Sequence, residues 1–314
     1  MRFDISGNNS TTVALSGALL PGAVTVYSPK NHIIDGTGGS LGGAMKLVKA
    51  GAGSLTISGN HNFTGTTTVW DGALLVNGDL QSSHVTVWGG TWGGALSAGA
   101  KGGRIGGTGR FSQAVAVKYR GAIVPGAGMG SAGTVTFGSG LAAEDGSVFA
   151  LDLSDDPTGL VKPNDRIAVT GNLALSGTVA IVVKPLNAQL AAGTYTLLTY
   201  TGTLTGGVAN FSVTVPPGTP YTLAASAGAV TLTVPVTRAP ASIVWRGSGG
   251  AWDLAASQNW LRSGAPDVFV SGDTVLFDAT GAVNPTVTLS TALPIAGATV
   301  NAGTNLLPSE SQFH

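Results

Sequence analysis

KLVKAGAGSLTISGNHNFTGTTTVWDGALLVNGDL, residues Lys46 to Leu80, decides the fold. Within it Ser54–Ile57, Thr67–Trp70 and Ala73–Val76 carry apolar residues at i, i+2 and almost never at helical spacing, so the segment reads as short strands. Gly, Asn, Asp and Ser separate the runs, supplying positive φ or side-chain-closed turns. From Leu55 to Leu74 is a step of 19 positions, and from Leu74 to Leu96 a step of 22. A recurrence near this length describes a coil of two or three strands lying on the next coil at ~4.8 Å. One coil cannot bury its inward side chains, whereas a stack of coils makes a continuous core and pairs every internal edge.

The same alternation extends in both directions. Thr12–Leu15, Val85–Val87, Ala114–Val117, Thr134–Phe137, Thr178–Val183, Tyr195–Tyr200 and Val230–Val234 all read as strands, and no helix is expected. A small-Gly-x-apolar-x-apolar string recurs at Ala52–Ile57, Ala132–Phe137 and Gly228–Leu232, more loosely at Gly171–Leu175. The expectation is an all-β parallel β-helix, a solenoid of roughly a dozen coils and ~55 Å. Leu55, Ile57, Val69, Leu74, Val76, Val115 and Val117 would point inward. Glycine makes up 49 of 314 residues, about twice the usual share, in keeping with so many turns. Pro235–Ser242 has two prolines and no alternation and reads as a linker, after which a short C-terminal β unit holds three of the six tryptophans.

Charged residues are only 10%, with 15 basic against 15 acidic, which argues against a strongly basic nucleic-acid binder. No run reaches the ~18 apolar residues of a membrane helix. Met1–Ser10 shows no apolar signal-peptide core, and the absence of cysteine removes disulfides and thiolate metal sites.

The Lys46–Leu80 stretch resembles the autotransporter-associated β-strand repeat, also called the passenger-associated transport repeat, L-x-K-x-G-x-G-x-L-x-L-S-G-x-N-x-[YF]-T-G-x-T-x-V-x-x-G-x-L-x-V. Leu47, Lys49, Gly51, Gly53, Leu55, Ile57, Ser58, Gly59, Asn62, Phe63, Thr64, Gly65, Thr67, Val69, Gly72, Leu74 and Val76 carry the match, with Ile57 for leucine and Asn62 one place late. Gly106–Gly109, Ile123–Gly126, Asp165–Gly171 and Ala192–Thr203 resemble the passenger segment that follows such repeats, and Trp252–Trp260 with Gly272–Asp278 the opening of another block. The resemblance implies a right-handed β-helix, exported to the surface or medium of a Gram-negative bacterium and joined in a longer chain to an outer-membrane β-barrel translocator. Its parts would be residues 1–85 with the repeat, 86–234 as passenger-like continuation, 235–242 as linker and 243–314 as the truncated start of a second block. NLLPSESQFH, the last ten residues, is unlike a barrel strand, so the chain reads as a fragment.

The function expected is structural or adhesive, supporting the protein's own secretion, with no enzymatic activity and no cofactor. The alternatives are a glycan-binding module and a β-helical polysaccharide-degrading enzyme. Gly38–Gly42 fits G-x-S-x-G and Gly128–Gly133 fits G-x-G-x-x-G, yet neither leads into a helix, so both read as turns. His32, His61, His84 and His314 have no metal-ligand spacing and read as surface or turn residues. Glu144, Asp145, Asp152, Asp155, Asp156 and Asp165 lie within 22 positions, beside Lys162 and Arg166. Such oxygen density suits structural or adventitious Ca2+, and a lyase would need these acids and a base on one face. Lys101, Arg104, Arg110, Lys118 and Arg120 form a run of basic residues that could draw an anionic glycan. Trp252 and Trp260, with Trp245, Trp88 and Trp92, are candidate sugar platforms, against the reading that they fill a core. The possible glycan contacts are therefore Trp252, Trp260, Lys101, Arg104 and Arg110.

Overall fold

A computed structural model describes residues 1–4, 10–89, 102–187, 189–217, 219–226, 228–236, 238–248, 250–253, 257–281, 283, 286–289 and 293–301. The chain forms two compact units, one of Met1–Ala191 with Tyr195–Thr233, the other of Ala192–Thr194 with Val234–His314.

The first unit is a parallel β-solenoid with three sheets. In the first, Arg2–Phe3, Ala23–Tyr27, Lys46–Ala50, Thr67–Val69, Val85–Val87, Val115–Val117, Leu141–Ala143, Leu173–Leu175 and Leu204–Thr205 follow one another in chain order. The second runs from Thr12–Ala14 through His32–Asp35, Ser54–Ser58, Gly72–Val76, Gly103–Gly107, Ala122–Pro125, Val148–Leu153 and Val179–Pro185 to Phe211–Thr214. The third starts at Asn60–His61 and passes through Asp79–Leu80, Arg110–Phe111, Thr134–Phe137 and Arg166–Val169 to Gly193–Tyr200. There parallel stacking gives way to an antiparallel hairpin of Thr222–Ser226 and Ala229–Val234.

Alternation does the packing. Leu55 lies against Leu74, Leu74 against Ile105 and Ile105 against Ile123, all buried. Each expected inward residue, Leu55, Ile57, Val69, Leu74, Val76, Val115 and Val117, is in this core. In the third sheet Phe111 and Phe137 stack at 5.5 Å, one layer above the other.

The expected step of 19 from Leu55 to Leu74 is the observed register, but the period is not constant. Along the first sheet it is 23 residues from Arg2 to Thr25 and from Thr25 to Val48, 20 from Leu47 to Thr67 and 18 from Thr67 to Val85. It then lengthens to 30 at Val115, 26 at Leu141, 32 at Leu173 and 31 at Leu204. Among the described residues nine layers therefore stand where a dozen were expected, giving about 38 Å of stack. Leu74 pairs with Ile105, and Leu96 lies outside the described residues. The recurring small-Gly string marks no fixed place in a coil: Ser54–Ser58 is in the second sheet, Thr134–Phe137 in the third and Leu173–Leu175 in the first. It encodes a glycine corner and an alternating strand, which every sheet needs. Of the G-x-S-x-G stretch, Gly39–Leu41 is itself a strand, paired with Gly17–Leu19, where a turn was expected.

The second unit is a mixed sheet of Ala265–Asp267, Trp260–Arg262, Ser242–Trp245, Thr274–Asp278 and Gly297–Asn301 over an aromatic core.

Candidate functional site

The repeat-like stretch is a unit folded on itself. Its first half, Lys46–Ala50 and Ser54–Ser58, is one layer; its second half, Thr67–Val69 and Gly72–Val76, is the next layer, directly paired with it. Lys49 occupies an inward column between Val26 and Val69 and is fully buried. Its ammonium Nζ donates to the carbonyls of Ala50 (2.9 Å), Gly51 (2.6 Å) and Asp71 (3.1 Å), the last of these one layer on. Burial pulls its pKa down to about 8, against the opposing pull of the Asp71 carboxylate. The glycines make room for this clasp. Gly72 has φ +67°, and a Cβ there would run into the Gly53 and Gly51 carbonyls and the Lys49 ammonium. In this setting the repeat's lysine is an internal tie between layers, an unusual place for a charge that its three carbonyl partners and the Asp71 carboxylate make tolerable.

His32 and His61 are buried, a correction to the expectation that the histidines sit at surfaces or turns; His84 is exposed and His314 lies outside the described residues. Each stands in an inward column of its own sheet, His32 beside Leu55 in the second and His61 beside Leu80 in the third. His61 Nδ1 accepts the Leu41 N–H at 3.0 Å, so Nε2 carries the proton and donates to Ser58 O at 3.0 Å. Burial holds its pKa below the ordinary value.

The acidic run does not converge on one face. Glu144 pairs with Lys118, Asp145 accepts the Thr178 N–H at 2.7 Å, and Asp155 pairs with Lys162 at 2.7 Å. Asp156 closes its own loop, accepting from Thr158 Oγ1 (2.6 Å), Val161 N (2.8 Å) and Lys162 N (3.1 Å). Asp152 and Asp165 are fully buried side by side. Asp165 accepts the backbone N–H groups of Gly133 (2.7 Å) and Asp152 (2.8 Å), and burial raises its carboxyl to about 7. Asp152 Oδ2 takes the N–H groups of Gly130 and Ser131, so this acid pins the glycine-rich 128–133 turn from behind. Among the described residues no three of His, Cys, Asp and Glu are grouped so as to hold a metal ion.

Of the basic residues, Arg104 belongs to the second sheet, Arg110 to the third, and Lys118 follows a strand of the first, so they do not share a face. Lys101 lies outside the described residues. Arg110 Nε donates to Ser112 Oγ, itself bonded to Asp79. Arg104 has no acidic partner among the described residues. A ladder that periodicity did not reveal climbs the end of the first sheet: Trp70 and Trp88 stack at 5.4 Å and 13°, Lys118 Nζ stands 5.8 Å from the Trp88 ring, and Glu144 pairs with Lys118. Trp88 thus has an aromatic and a cationic neighbour while remaining partly exposed, and Trp92 is outside the described residues.

In the second unit Trp252 and Trp260 are buried, with ring centroids 5.1 Å apart. Trp245, Phe269 and Phe277 surround them, leaving no indole face open to a sugar. Asn259 fastens the strands here, its Nδ2 donating to Ala251 O at 2.7 Å. Asp273 is buried and gripped by both terminal nitrogens of Arg238 at 2.7 Å, by Ala241 N and by Val270 N. Burial alone would raise its pKa; Arg238 and the two N–H groups overcome this and hold it low. Arg238 sits in the proline-bearing stretch read as a linker, and nothing local in PVTRAPAS signals that its partner is 35 residues away.

Residues 47–76 match the passenger-associated-transport-repeat. Over 167 residues, 52% of the chain, the sequence is 30% identical to the Adhesin BmaC autotransporter of Brucella suis biovar 1 (strain 1330). That span is 4% of the adhesin's length. The chain carries a passenger-associated transport repeat and is distantly similar to an autotransporter adhesin.

Proposed function

We propose that this chain is a non-enzymatic segment of an exported surface protein, a β-solenoid that assists its own secretion and then serves as an adhesive or spacing rod. Secretion would run through an outer-membrane β-barrel in the parent polypeptide, and the segment would end on the cell surface or in the medium of a Gram-negative bacterium. The observation that carries this reading is the self-stacking of residues 47–76, in which Leu55 meets Leu74 and Lys49 clasps the following layer. A contact only 19 residues long in sequence closes early and gives later layers a surface to add to, so folding free energy accumulates layer by layer as the chain emerges. The similarity to an autotransporter adhesin supports the same reading.

The test places the full chain between a secretion signal and an outer-membrane β-barrel in a Gram-negative host and measures protease-accessible protein at the surface. The unaltered chain should reach the surface folded. Leu74→Asp, which buries a charge in the stacked core, should lower display several-fold; equal display of the two would refute a role for stacking in export.

A further inference from the structure

On the outer face of the second sheet Ser54, Ala73 and Arg104 form one row across three layers, with Thr56, Leu75 and Gly106 in the next. After Ala122–Pro125 the chain reverses through a loop held by bridges between Gly107 and Gly126 and between Gly128 and Ser131. Loop and sheet enclose a cleft of about 380 Å3, whose lining includes Asn31, Ser54, Leu75, Arg104, Val124 and Met129. That is in the range of small-ligand pockets. The loop rim is anchored, because Asp152 accepts the N–H groups of Gly130 and Ser131 from inside.

Arg104 is the unexplained group. Its Nε is buried with no hydrogen-bond partner, and no carboxylate pairs with its guanidinium among the described residues. Native proteins rarely leave such a donor unmatched. A planar guanidinium matches a carboxylate with two parallel bonds. Around it, Leu75, Val124 and Met129 offer an apolar wall while Ser54 and Asn31 offer hydroxyl and amide groups. A ligand with one carboxylate, a C–H face and several hydroxyls fits all three features.

We propose that this cleft binds an acidic saccharide of the uronic-acid class, its carboxylate on Arg104. The inference deepens the adhesive part of the reading above and rests on it, yet the two fail separately: ligand binding by the purified chain does not depend on export, and display does not depend on Arg104.

The experiment is saturation-transfer NMR and calorimetric titration of the full chain with glucuronate, glucose and inorganic phosphate at matched ionic strength. Glucuronate should bind, and glucose and phosphate should each bind at least about tenfold more weakly. Arg104→Gln should weaken glucuronate binding by about tenfold or more, and Ser54→Glu should do the same by repelling the carboxylate from the rim. Lys184→Gln, which removes an exposed charge elsewhere on the second sheet, should leave binding unchanged. No glucuronate binding, glucose binding equal to it, or retention of affinity in both rim variants would overturn the proposal. Phosphate binding as tight as glucuronate would reduce the cleft to a plain anion site and overturn it equally.

Discussion

Replacing Lys49 with methionine keeps an unbranched apolar stem of similar length and deletes the ammonium from the solenoid core. The Nζ group makes three bonds to carbonyls, at 2.9, 2.6 and 3.1 Å. Bonds from a charged donor contribute ~1.5–3 kcal/mol each. Against them stands desolvation, which takes the pKa from 10.5 to about 8 and at ~1.4 kcal/mol per unit represents about 3.5 kcal/mol. The balance leaves Lys49→Met less stable by about 1–5.5 kcal/mol at neutral pH, with the three carbonyls orphaned. Urea unfolding followed by far-UV circular dichroism reads this as a lower midpoint at unchanged slope. The sign with pH follows from a folded-state pKa below the unfolded one. The folded protein binds fewer protons between about 8 and 10.5, so the contribution of Lys49 is greatest above 10.5 and falls as pH drops through about 8. The gap between the native chain and the variant should therefore widen on going from neutral to alkaline solution. A variant as stable as the native chain would refute the clasp, and a gap independent of pH would refute the burial that lowers the lysine's pKa.

Gly72→Ala should destabilise by roughly 2–4 kcal/mol in the same assay, since it combines strained φ with collision against two carbonyls. Gly264→Ala, with φ +82° but open space around it, should cost no more than about 1–2 kcal/mol. Asp165 has a raised folded pKa, so the stability it contributes is complete below about 3.8 and is lost as pH rises through about 7; Asp165→Asn should flatten that part of the stability profile, and an unchanged profile would count against the buried pair. His61 acts in the opposite sense. Its folded pKa is lowered, so stability present above 6.5 is lost as pH falls through the folded value, and His61→Gln should remove that acid sensitivity in midpoints measured across a pH series.

The fold was legible wherever the signal was local. Alternation marked Ser54–Ser58 and Gly72–Val76 as strands, and the step from Leu55 to Leu74 was their true register. Beyond Val85 the register was hidden because layers of 26 to 32 residues carry loops of differing length between equally short strands. The same limit applies to the candidate sites. A lysine or histidine in an alternating run reads as polar and therefore outward; Lys49 and His61 face inward, where partners 22 and 20 residues away respectively help to satisfy them. Trp252 and Trp260 offered no local sign of which way their rings lie, and the aromatic core of the second unit settles it.

By itself the sequence determined what its neighbouring residues can decide: period-two strands, glycine corners and a repeat able to stack upon itself, since side-chain alternation and backbone freedom are properties of a few consecutive residues. Only the tertiary structure decided which groups lie above one another along the stack. The Asp152 carboxylate under the Gly130–Ser131 turn, the Trp70–Trp88–Lys118 ladder and the loop beside Arg104 each join residues from different layers. Their distance along the chain depends on loop length, whereas their distance in space depends on a strand spacing of ~4.8 Å.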